Sequence, residues 1–150
     1  MTYRELIAKG LLEKRAPDPQ QVRQLQVRAQ KDLRTAQRVF RIDTDWAYAI
    51  AYQAMLRAAR GLLMARGYRP RGRDPQKTVI LAAGIALGEP YQDLLNRLDV
   101  MRRKYQRVAE ESVYPVPRLE AEMALKDAER FLARVMALIR RWHPELAAFP

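Results

Sequence analysis

Apolar residues recur at steps of three and four along most of the chain. Val22, Leu25, Ala29, Leu33, Ala36 and Phe40 form one such stripe, and Trp46, Ile50, Ala54, Ala58, Leu62 and Ala65 form a second. Leu94, Leu98, Met101, Tyr105 and Val108 form a third, and Leu119, Met123, Ala128, Phe131, Val135, Leu138 and Trp142 a fourth. This spacing puts apolar side chains on one face of an α-helix, whereas strand-like alternation is absent. The second stripe is dense in alanine, which lets neighbouring helix axes approach closely, so it predicts the central helix.

The punctuation agrees with the periodicity. Asp18-Pro19 and Asp74-Pro75 pair a capping side chain with a residue suited to the first helical turn, and Gln21 stands at the capping-box position after Asp18. A helix starting near Asp43 or Thr44 is expected to stop at Gly67, the one after Asp74 near Gly88, and the next to restart at Pro90. A last helix follows Pro115 and Pro117, and an N-terminal one spans about Tyr3 to Lys14. "GYRPRGRDP" reads as an extended loop. Short connections favour antiparallel neighbours. The predicted fold is therefore all-α, an antiparallel up-down bundle of five or six helices in one domain over residues 1–150, with no sheet of three or more strands.

Composition narrows the chemistry. The absence of cysteine excludes disulfides, thiolate catalysis and Cys-ligated zinc, and fits a reducing cytosol, so a cytoplasmic location is expected. A single histidine, His143, leaves little for a metal site or a catalytic triad; no metal and no cofactor are expected. No Gly-rich phosphate loop occurs, since "LAAGIALGEP" lacks the lysine and hydroxyl that such a loop requires. The N-terminus does not read as a signal peptide, and "TVILAAGIALG" is too short to span a bilayer, so no membrane association is expected.

The formal net charge is +11. Between Arg57 and Arg107 there are twelve basic residues against four acidic ones, so most of the excess sits in the middle third. Arginine pairs bidentately with phosphate and stacks on bases, which makes Arg69, Arg71 and Arg73 in the loop, with Arg103, Lys104 and Arg107 in "DVMRRKYQRVAEE", the candidate nucleic-acid contacts. An Arg-rich loop serves equally well beside helix carboxyl ends. Tyr48 and Tyr52, one turn apart, read either as base-stacking groups or as core aromatics with a wet hydroxyl. His143, at the end of the last helix and without an evident acid or orienting partner, reads as a cap.

The order of elements resembles the HEPN superfamily over about Asp18 to Trp142. The likeness rests on a long amphipathic helix, then "DWAYAIAYQAMLRAARGLLMARGYRPRG", then "DPQKTVILAAGIALG", then a helix whose second half begins "DVMRRK". It implies a helical bundle that dimerises. Active members are metal-independent endoribonucleases, and many are toxins paired with a small nucleotidyltransferase-like antitoxin. Their signature is an arginine, usually followed by a polar residue, with a histidine four to six residues on; similar chains place an asparagine second and a tyrosine or histidine last. Here the arginine position falls on Tyr105, the asparagine on Gln106 and the last position on Glu110. Tyr105 supplies no cation and Glu110 repels phosphate. A shifted site would use Arg102 or Arg103 as the cation and Glu110 as the acid–base group, since Arg103 and Glu110 are two turns apart on one helix face.

Three readings follow from the resemblance and its departures. The first is a bundle that binds RNA or a protein partner with little or no catalysis. The second is a metal-independent endoribonuclease using a variant site, and the third a non-enzymatic helical adaptor. A homodimer is expected, with Tyr48, Tyr52 and the stretch from Arg102 to Arg107 lining or flanking a shared cleft. A nucleotidyltransferase-like antitoxin is the protein partner that the resemblance implies.

Overall fold

The structure, a computed structural model, describes residues 1–111 and 115–146. Among these residues six α-helices carry the fold: α1 (Tyr3–Ala8), α2 (Pro19–Val39), α3 (Thr44–Arg66), α4 (Pro75–Leu87), α5 (Gln92–Glu110) and α6 (Arg118–Trp142). Two three-residue strands, β1 (Leu12–Lys14) and β2 (Tyr68–Pro70), and short 3-10 turns at Glu89–Tyr91 and Pro144–Leu146 complete it.

The helix ends fall where their capping chemistry puts them. Asp18 accepts N–H bonds from Gln20 at 3.0 Å and Gln21 at 3.5 Å, Asp43 from Trp46 at 3.0 Å, and Asp74 from Lys77 at 3.2 Å. Each bond satisfies a backbone donor that lacks a partner within the helix. α3 stops at Gly67, whose φ of 91° is left-handed and favours glycine. Asp18→Ala is expected to lower the unfolding free energy by about 1 kcal/mol in a urea titration.

α2, α3, α5 and α6 form a ring of alternating direction. The pairs Gln30–Met136 and Gln37–Glu129 run antiparallel between α2 and α6, as do Arg97–Asp127 and Lys104–Glu120 between α5 and α6. α3 and α6 lie on the diagonal and run in the same direction. The Thr44 hydroxyl donates to the Val116 carbonyl at 2.8 Å at one end, and the His143 ring meets the Ala65 carbonyl at the other. Such a diagonal closes only if one helix is thin. α3 meets that need, burying Ala47, Ala51, Ala54, Ala58 and Gly61 among its larger residues. A Cβ at Gly61 would lie 3.5 Å from the Leu25 Cβ, in ordinary van der Waals contact, so α2 and α3 approach to within a methyl group's width there. α4 packs outside the ring against α3 and α5.

The antiparallel bundle expected from the periodicity is present, with three local corrections. The N-terminal helix ends at Ala8 rather than near Lys14; Gly10, with φ 72°, turns the chain into β1. "GYRPRGRDP" is extended as expected, but its first part is β2, which pairs antiparallel with β1 in the register Leu12↔Pro70, Glu13↔Arg69 and Lys14↔Tyr68. Tyr3 stacks on Tyr68 with ring centroids 4.6 Å apart, which ties α1 to the ribbon. Trp46, Leu119 and Met123 are at least half exposed rather than part of the core. They stand on faces of α3 and α6 turned away from the residues those helices bury, with Leu119 and Met123 one turn apart on α6. The α6 core stripe begins instead at Ala121 and runs through Leu125, Ala128, Phe131, Val135 and Ile139.

Candidate nucleic-acid interface on α5

α5 buries Leu94, Leu98 and Met101, and lays Tyr105 and Val108 half-buried against the core. The Tyr105 ring tilts against Tyr52 with centroids 5.0 Å apart. Tyr52 is fully buried, and its hydroxyl donates to Gln76 Oε1 at 2.7 Å in the first turn of α4. Burial pushes the Tyr52 hydroxyl well above its ordinary range, against the lowering pull of Arg102 and Arg60. It therefore stays protonated and acts as a donor. Tyr48 is buried too, under the Lys104 ammonium at 5.7 Å. Neither tyrosine presents a face for base stacking.

The basic residues of α5 divide into two groups. Arg102 is mostly buried; its guanidinium donates to Asp99 Oδ1 at 2.9 Å and reaches Asp74 Oδ2 at 3.5 Å. It ties α5 to the start of α4 and meets two carboxylates there. Lys104, expected among the phosphate contacts, is instead clamped by both Glu120 oxygens at 2.6 and 2.7 Å with its side chain 16% exposed. Arg103 differs: its side chain is 65% exposed, and its contact with the Asp99 carboxylate is 3.7 Å long. Gln106, Arg107 and Glu110 are exposed or half-exposed as well. Arg103 and Arg107 stand one turn apart and are neighbours on the helix surface.

The loop arginines are placed separately. Arg69 lies half-buried in β2, Arg71 is exposed with Glu13 at 3.6 Å, and Arg73 is exposed next to the Asp74 cap. The Arg102–Asp74 contact therefore brings Arg73 to the side of α5, while Arg69 and Arg71 follow the ribbon. His143 is the C-cap residue of α6, as expected, its backbone N–H donating to the Ile139 carbonyl at 2.8 Å; its ring also reaches the carboxyl end of α3, with Nε2 2.6 Å from the Ala65 carbonyl and Nδ1 3.0 Å from Glu145. Glu145's own backbone N–H, and then the His143 ring, hold the Glu145 carboxyl below its ordinary range.

Periodicity alone could not supply the carboxylates that set these roles. Asp99 stands three and four residues before Arg102 and Arg103, a spacing readable in sequence. Asp74 and Glu120 come from other helices. So does Asp32, a mostly buried carboxylate of α2 that binds Arg57 of α3 and Arg28 of its own helix. Among the described residues no cluster of histidine and carboxylate side chains could hold a metal ion, and no helix is long and apolar enough to cross a membrane.

The shape and sequence match known proteins. The chain resembles TT1696 from Thermus thermophilus with a TM-score of 0.64 and 28% identity, over 77% of this chain and 96% of that one. No curated protein matches it. The sequence pattern of the HEPN domain matches residues 22–139, from the first buried turn of α2 to the last core residue of α6. A match over that much of the chain, on a bundle of this architecture, places the protein in the HEPN domain family.

Proposed function

We propose that this HEPN-domain protein binds RNA along the exposed face of α5 and cleaves it little or not at all. One observation carries the reading: Tyr105, at the position of the signature arginine, is packed on Tyr52, while Arg102 beside it is held by two carboxylates. Cleavage needs a cation at the scissile phosphate and a proton-handling group within hydrogen-bond reach. Gripping a backbone needs only exposed cations, which Arg103, Arg107 and Arg73 supply. In this reading a second copy of the chain completes the binding cleft, and a nucleotidyltransferase-like protein is the natural partner.

The test is RNA affinity as a function of salt. Arg103→Ala is expected to reduce the slope of log affinity against log salt by about one, with no dependence on sequence. An unchanged slope removes Arg103 from the interface. Incubation with RNA in excess EDTA should leave the RNA intact. Cleavage that Arg103→Ala or Glu110→Ala abolishes would instead establish a ribonuclease with a shifted site. A strict monomer in light scattering at tens of micromolar removes the shared cleft.

A further inference from the structure

A second basic surface lies away from α5. A continuous open hollow of about 1320 Å³ runs along the outer side of the first half of α2, between β2 and the end of α3 on one flank and the turn after α6 on the other. Its cations include Arg28 and Lys31 from α2, Arg60 from α3 and Arg69 from β2, whereas Glu145 is the one carboxylate among the described residues that line it. Aliphatic side chains make the floor: Leu25 and the 43%-exposed Val27 of α2, and Met64 of α3.

We infer that this hollow docks an acidic amphipathic helix of a partner protein. Two features favour that occupant over RNA. An apolar floor rimmed by cations complements a helix with aliphatic residues on one face and carboxylates along its edges. Among the described residues no aromatic ring lines the hollow, so bases would find no stacking platform on it. From Gln21 to Lys31 the α2 wall is about 15 Å long at 1.5 Å per residue, which matches roughly three turns of a partner helix. The rim cations come from three elements that the fold alone brings together, and this explains why the loop arginine Arg69 stands apart from the α5 cluster.

The test uses the full-length chain and a synthetic 14-residue helical peptide with leucines on one face and glutamates beside them. Its controls are a scrambled peptide of the same composition and a single-stranded RNA oligonucleotide. Fluorescence anisotropy should show the helical peptide binding at least tenfold more tightly than the scrambled one. The double reversal Lys31→Glu/Arg69→Glu should weaken peptide binding at least tenfold and leave RNA binding within about twofold, whereas Arg103→Ala should do the converse. A thermal melt verifies that the double variant folds; where it does not, Lys31→Ala is read alone, with at least a threefold loss of peptide binding expected. Equal binding of the two peptides, or indifference to the reversal, overturns the inference. So does an RNA affinity that falls with the reversal while peptide binding holds, which would assign the hollow to RNA.

Discussion

Replacing Tyr52 by alanine is expected to lower the unfolding free energy by about 3–5 kcal/mol, the range for a large aromatic truncated in a closed core. Tyr52 is the point where three helices meet. It grows from α3, its hydroxyl holds the first turn of α4 through Gln76, and its ring supports Tyr105 of α5. Chemical denaturation measures the loss. Tyr52→Phe separates the two roles, because the ring stays and only the hydrogen bond is lost, at about 1 kcal/mol. If the ring seats the second half of α5, the alanine variant should also bind RNA with a weaker salt dependence, while the phenylalanine variant should not. Equal losses in both variants would show that the hydroxyl, not the packing, positions the helix.

Restoring the signature is the second large effect. Tyr105→Arg with Gln106→Asn and Glu110→His is expected to raise metal-independent RNA cleavage by about 10²-fold over the parent, the lower range for positioned acid–base catalysis. The new guanidinium would emerge beside Arg102, and the carboxylates of Asp99 and Asp74 already present there would temper the repulsion between the two cations. Glu110 is exposed, so a histidine at that position is free to meet a substrate. A fluorogenic RNA in excess EDTA reads the gain. Glu110→His alone should give none of it, since it supplies a proton carrier without a cation. A folded triple variant that stays silent would mean that position 105 is not where the family's chemistry sits in this chain.

The helices were legible because caps and periodicity are local properties. Asp18, Asp43 and Asp74 announce helix starts within three residues of themselves, and the stripe Leu94, Leu98, Met101 needs no knowledge of its partner. The ribbon was not legible. Three-residue strands carry no periodicity, and β1 exists because β2 lies beside it. The exposure of Trp46, Leu119 and Met123 was hidden for a related reason: an apolar residue about one turn from a stripe fits it by spacing, but whether anything covers it depends on where the neighbouring helices pack. In the candidate site the residue types were readable and their allegiances were not. Arg103 and Lys104 are adjacent and both basic, yet Glu120 on α6 claims only one of them. That distinction is tertiary, and it decides which charge faces solvent.

The ribbon also constrains the order of events during synthesis. β1 leaves the ribosome before α2, but its partner β2 follows only after α3. Until then the Leu11 carbonyl and the Arg15 N–H, which bond to Arg71 and Gly67 across the ribbon, have no strand to pair with. The α2–α3 hairpin, built from contacts nearer in sequence, can form first and hold the two strand segments close, so that the clasp closes across a folded unit rather than across a long flexible loop. A released chain truncated before Tyr68 is therefore expected to form the hairpin yet leave its amino end loose, which limited proteolysis would detect as cleavage before Pro19.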